Sequence, residues 1–173
     1  MTTVSQPNWL LPKFDNILPE LIEKPNWVLT KAVLRDGKWT KPPLQANNKF
    51  ASVTDSTTWT DFKTVQAAYE RGGFIGIGFV LDGKPHFNGK YLHGFDWDHS
   101  VDYRQVDPEV VHVLKELGIT RWEISISGTG LRGFFLHDEP LKSCRTTINN
   151  RSVELYSDKR YMTTTGIGKG VLS

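Results

Sequence analysis

Residues 121–127, RWEISIS, alternate without a break: Trp122, Ile124 and Ile126 fall on one face and Glu123, Ser125 and Ser127 on the other. A period of two belongs to a strand with one buried and one polar face, and a helix cannot present it. The Gly-rich turn GTG (128–130) then leads into a further strand, LRGFFLH (131–137). Whatever else the chain builds, it must build a sheet that hides one side of this segment.

The remaining elements fit around that sheet. WVLTKAVL (27–34) is expected as a strand, Asp36-Gly37 as a turn, and KWTKPPLQ (38–45) as extended chain around its prolines. Thr58 with Asp61 three residues later fits a capping box, with Trp59, Phe62, Val65 and Tyr69 at helical spacing and Gly72-Gly73 as the stop. FIGIGFVL (74–81) and YLHGFDWD (91–98) are expected to pair as a hairpin across a polar connection. A second helix starts at Asp107-Pro108, turns Val110, Val111, Leu114 and Leu117 inward and ends at Gly118. RSVELYS (151–157) and RYMTTTG (160–166) are expected as a second hairpin. One helical turn is expected near Ile17–Leu21, within a Pro-, Asn- and Leu-rich N-terminal arm (1–24) that precedes a single domain over 25–173. The class is α+β: a largely antiparallel sheet with two main helices on one face.

The chain has 173 residues, enough for one domain, with 38% apolar and 23% charged residues. No apolar run approaches the roughly 20 residues that cross a bilayer, and the N-terminus lacks the build of a signal peptide. Cys144 is the single cysteine, which excludes an internal disulfide and a cysteine-rich zinc site. These features point to a cytosolic protein without membrane partners. A net charge of +2 does not announce nucleic-acid binding, although residues 142–173 hold six Lys/Arg against Glu154 and Asp158.

GFDWDHS (94–100) carries the sharpest chemistry. Phe95 and Trp97 set the alternation, so Asp96 and Asp98 emerge on the face away from the core. Two carboxylates this close repel unless a cation lies between them, and hard oxygen ligands suit Mg²⁺ or Mn²⁺. In VELY (153–156), Val153 and Leu155 point inward and leave Glu154 on the polar face. Asp96, Asp98 and Glu154 together make a donor set for a two-metal site serving in-line phosphoryl displacement. SGTGLRGFF (127–135) offers backbone N–H groups, the Ser127 hydroxyl and the Arg132 guanidinium as a phosphate cradle; its other reading is a plain hairpin turn. GIGKG (166–170) fails the phosphate-loop pattern because Thr163 stands where its first Gly belongs, and GIG (76–78) fails the dinucleotide fingerprint at Leu81.

In order and spacing, GFDWDH, SGTGLRGFF and VELYSDKRYMTTTG resemble the motifs of the archaeo-eukaryotic primase superfamily, in particular the primase-polymerase domains of phage and plasmid replication proteins. The likeness runs from about residue 25 to 166, since WVLTKAVLRDGKWTKPPLQANNKFASVTDSTTWTDF is similar to the N-terminal half of those domains. The resemblance implies an RRM-like catalytic core and a metal-dependent DNA primase/polymerase. Asp96, Asp98 and Glu154 would be its catalytic, metal-binding residues, with Mg²⁺ or Mn²⁺ as cofactor. Ser127, Arg132, Lys41 and Arg160 would bind the nucleoside triphosphate. A single-stranded DNA template and a helicase or other replication protein would be its partners. Position 132 is Arg where the family has His; an arginine holds phosphate but does not give up its proton. Family members usually continue beyond the third motif, whereas this chain stops soon after it. A second reading therefore stands beside the first: a primase-derived binding module from a mobile element, docking on DNA, on a replication complex or on a host defence protein.

Overall fold

The computed structural model describes residues 4–172. A 3-10 turn (Phe14–Asn16) and the one-turn helix α1 (Pro19–Ile22) precede β1 (Trp27–Thr30), β2 (Val33–Arg35), β3 (Lys38–Thr40) and β4 (Pro43–Leu44). Helix α2 (Phe62–Glu70) leads to β5 (Gly76–Asp82), β6 (Tyr91–Trp97), and the short β7 (Val101–Asp102) and β8 (Gln105–Val106). Helix α3 (Pro108–Glu116) is followed by β9 (Trp122–Ile124), β10 (Leu131–His137), β11 (Cys144–Ile148), β12 (Arg151–Tyr156), β13 (Asp158–Thr164) and β14 (Gly168–Lys169).

The strands form two main sheets and two small hairpins, and every strand pair is antiparallel, so the α+β expectation holds. One sheet has four strands in the order β13-β5-β1-β4; the other has six, β11-β12-β6-β10-β9-β14. The expected hairpin of 74–81 with 91–98 does not form. Both edges of β5 are taken by β1 and β13, and both edges of β6 by β10 and β12, which puts the two segments in different sheets. The second expected hairpin fails similarly. Only the buried Ser157 separates β12 from β13, too short a link for a hairpin turn, and the chain changes sheet there. The hairpin that does form is β11–β12, around Asn149 and Asn150, whose φ values of 49° and 59° suit a type I′ turn. The turn at Asp36-Gly37 forms as expected between β2 and β3, and the expected strand 27–34 breaks into β1 and β2.

The two main helices serve different cores instead of sharing one face. Phe62, Val65 and Ala68 of α2 join Trp27, Leu29, Ile77 and Phe79 of the four-stranded sheet, with Ile17, Leu18 and Leu21 packed among them. Val110 and Leu114 of α3 pack with Phe95, Trp97, Ile124 and Leu131 of the six-stranded sheet. Asp107 caps α3 by accepting from the Glu109 N–H at 2.9 Å, as the Asp-Pro signature requires. Leu117 is the C-cap residue and is 64% exposed, so it does not face inward. Helix α2 is capped by Asp61, which accepts from the Thr64 N–H at 2.9 Å; Thr58 instead belongs to the preceding 3-10 turn, and Trp59 lies outside the helix.

The face of the six-stranded sheet turned away from α3 changes character along its length. At Leu92 and Phe134 it belongs to the apolar core shared with Phe79 and Met162 of the four-stranded sheet. Gly94 permits that close approach, since a Cβ there would lie 1.9 Å from the Met162 sulfur. Two residues further along each strand stand Asp96 and Arg132. The oily contact between the sheets gives way to a polar cluster, where Arg132 bonds Thr163 of the facing sheet.

Candidate functional site

Strand register builds the cluster. Asp96 on β6 lies directly opposite Glu154 on β12 and, on its other side, opposite Arg132 on β10. The same row continues to Arg145 beyond Glu154 and to Glu123 beyond Arg132. Directly opposed residues bring their Cβ atoms to about 4.5–5.5 Å, so five charged side chains cross five strands on one face. Two of the three expected carboxylates are therefore immediate neighbours. Asp98 lies just past the end of β6, where its N–H donates to the Ser152 carbonyl at 3.0 Å. Its carboxyl is pushed above the usual range by burial and by the negative charges of Asp96 and Glu154, against the pull of His99 and Arg132.

Arg132 reaches across this cluster. Its Nη2 donates to Asp96 Oδ2 at 2.8 Å, and its Nη1 donates to the Thr163 hydroxyl on the facing sheet. Both members of the ion pair are largely enclosed, at 17% and 13% side-chain exposure. Burial opposes the charge on Arg132, but Asp96, helped by Tyr161 and Tyr156, raises its pKa nonetheless. The guanidinium stays a cation. Its Nε is buried without an acceptor among the described residues. Glu154 accepts from the Tyr156 hydroxyl, and Arg145 approaches its other oxygen at 3.7 Å.

The other expected contacts fall less evenly. Lys41 sits close enough to feel Arg132, Asp96 and Asp98; burial and Arg132 lower its pKa while the two aspartates raise it. Its ammonium lies 5.1 Å from the centre of the Trp9 ring. Arg160 lies over the Tyr156 ring at 5.1 Å, one side chain removed from Glu154. Ser127 is exposed in the turn before β10, in a hydroxyl chain with Ser125 (3.0 Å) and Thr129 (3.1 Å); it does not join the charged row.

Several participants escaped the sequence. Glu123 reads there as a solvent-facing residue but is 2% exposed. It accepts from the N–H groups of Thr165 (2.7 Å) and Gly166 (3.1 Å) and from the Thr164 hydroxyl (2.9 Å), tying the end of β13 beside Arg132. Thr163, Tyr156 and Tyr161 lie inside VELYSDKRYMTTTG but carried no assigned role there, and Trp9 lies in no motif. GIGKG, rejected as a phosphate loop, is built into the sheet edge: β14 pairs with β9.

The donor chemistry suits a hard divalent cation. Asp96, Glu154 and Asp98 supply only oxygens, and burial first, then the charges of Asp96 and Glu154, raises the pKa of Asp98. Among the described residues, however, no three His, Cys, Asp or Glu side chains are already gathered as a complete metal cage. Arg132 and Tyr156 hold Asp96 and Glu154 instead.

No family model matches the chain. Over 79% of its length it is 35% identical to the DNA primase-polymerase of Nitratiruptor phage NrS-1, and it spans 20% of that protein. The likeness supports a primase-polymerase relationship.

Proposed function

We propose that the chain is a metal-dependent nucleotidyltransferase domain of primase-polymerase type, acting with nucleoside triphosphates on a DNA template. The observation that carries this reading is the cross-strand row Glu154–Asp96–Arg132, two adjacent carboxylates flanked by a buried arginine. Asp96, Asp98 and Glu154 would hold Mg²⁺ or Mn²⁺. A divalent ion bound there supplies neutralisation of phosphate charge and a lower pKa for an attacking hydroxyl. Arg132 and Lys41 orient the triphosphate by charge, and the buried Arg132 Nε–H has no acceptor among the described residues. Tyr156 holds Glu154 in the charged row by its hydrogen bond. No side chain needs to act as a general base.

The test is extension of a labelled primer with Mg²⁺ or Mn²⁺. Wild type should incorporate nucleotide, and Asp96→Ala together with Asp98→Ala should abolish it. Survival of activity in the double variant rejects the proposal.

One observation favours a second reading, a binding module with weak or no catalysis. Arg132 already bonds Asp96, and Tyr156 already bonds Glu154. Arg132→His separates the two. Synthesis that appears only in the histidine variant assigns the native chain to the second class, with DNA, a replication complex or a host defence protein as its target.

A further inference from the structure

Among the described residues, Lys41 is a cation near Asp96 and Arg132 that makes no ion pair. Arg132 is paired with Asp96, and Arg145 lies beside Glu154. The Lys41 backbone carbonyl accepts from the Tyr161 hydroxyl, which is also 3.2 Å from Thr30 Oγ1; Thr30 in turn donates to the Pro42 carbonyl at 2.9 Å. The Lys41 ammonium rests over Trp9. The residue is thus fixed at both ends without a direct ion pair among the described residues.

Trp9 comes from a segment tied to the β2–β3 hairpin and to the chain just past β9 and β13. The Trp39 indole N–H beside it donates to the Ser5 carbonyl at 3.0 Å, the Leu10 N–H to the Ile126 carbonyl at 2.9 Å, and the Lys13 N–H to the Thr165 carbonyl at 2.7 Å. The Trp9 indole N–H has no acceptor among the described residues, so the part of the ring in use is its face. An aromatic face attracts an ammonium without neutralising it. That is what a phosphate-binding lysine needs, above all with Arg132 repelling it from nearby.

We infer that Trp9 is a positioning residue for Lys41, and that the segment around Trp9 is thereby one wall of the triphosphate site. This rests on the proposed nucleotide chemistry and extends it to residues outside the stretch that carries the family resemblance.

The experiment is calorimetric titration of the full chain with dATP and Mg²⁺, in the wild type, Trp9→Leu, Trp9→Phe, Lys41→Met and the Trp9→Leu/Lys41→Met pair. Trp9→Leu should weaken binding about 5- to 30-fold, the range of a desolvated cation–π contact. Trp9→Phe, which restores a face but no N–H, should recover most of that loss, and Trp9→Leu should add nothing once Lys41 is Met. The inference is overturned if Trp9→Leu binds as wild type, if Phe fails as badly as Leu, or if the loss persists undiminished in the Lys41→Met background. Trp9→Met, whose flexible side chain adapts to the gap without offering an aromatic face, replaces Trp9→Leu should the latter not fold. If wild type binds no dATP, or binds it independently of Lys41, the nucleotide reading itself fails. If binding depends on Lys41 but not on Trp9, only this inference fails.

Discussion

Asp96 and Asp98 are two residues apart, yet the structure gives their removal opposite signs. Asp96 neutralises Arg132 at 2.8 Å inside the cluster, with side chains 13% and 17% exposed. Asp96→Ala leaves a guanidinium enclosed with one hydrogen bond to Thr163 and no direct ion pair. Breaking a fully buried pair costs about 3–5 kcal/mol; residual solvent contact reduces that here to about 2–3 kcal/mol. For a chain of this size the loss lowers Tm by roughly 5–10 °C. Asp98 has no such partner: it is crowded by burial and by Asp96 and Glu154. Asp98→Ala therefore removes repulsion and should leave stability unchanged or higher, although both variants should lose catalysis. Urea unfolding at pH 7.5 without divalent ions measures both. Equal destabilisation by the two substitutions, or a stable Asp96→Ala, refutes the charge arrangement drawn here.

Two further outcomes follow from features outside the cluster. His93 is 1% exposed; its Nε2–H donates to the Glu139 carbonyl at 3.3 Å, so its Nδ1 accepts from the Ser157 hydroxyl at 3.1 Å, and the ring is neutral. Burial, with a smaller effect from the neighbouring His137, lowers its pKa below the ordinary 6.5, while the Glu139 carbonyl opposes the shift. The unfolded chain then binds more protons than the native one below about pH 6.5, so stability should fall on acidification, by at most about 1.4 kcal/mol per pH unit. A His93→Gln variant should show a flatter dependence in urea titrations between pH 7.5 and 5.5, and an unchanged slope rejects the assignment. The β7–β8 turn places Tyr103 and Arg104 at φ 45° and 64°, with Tyr103 94% exposed. Replacing the pair by Asn-Gly should raise stability by about 0.5–1 kcal/mol, seen as a higher Tm; a lower Tm contradicts the strain argument.

What could be read from the sequence was what local chemistry determines. Asp107-Pro108 and Gly118 bracket α3 because caps act within one turn. Phe95 and Trp97 fixed the direction of Asp96, and Val153 and Leu155 that of Glu154, because alternation is a property of each strand alone. Which strands meet was not legible. FIGIGFVL and YLHGFDWD look like hairpin mates, but each finds both its partners elsewhere in the chain. The burial of Glu123 was hidden for the same reason, since its hydrogen-bond donors come from Thr164–Gly166, some forty residues away. Trp9 shows no pattern of its own; only the fold brings it beneath Lys41. The N-terminal residues expected as an arm contribute Ile17, Leu18 and Leu21 to the core.

The central claim is that Asp96 and Glu154, side by side across β6 and β12, bind a divalent ion together with Asp98. Titration of Mn²⁺ into the protein, with the free ion followed by electron paramagnetic resonance, tests it without requiring turnover. Wild type should remove at least one Mn²⁺ per chain from solution, and Asp96→Asn and Glu154→Gln should each abolish or sharply weaken that uptake. A wild type that leaves the free Mn²⁺ signal unaltered, or variants that take up the ion as well as wild type, contradicts the account.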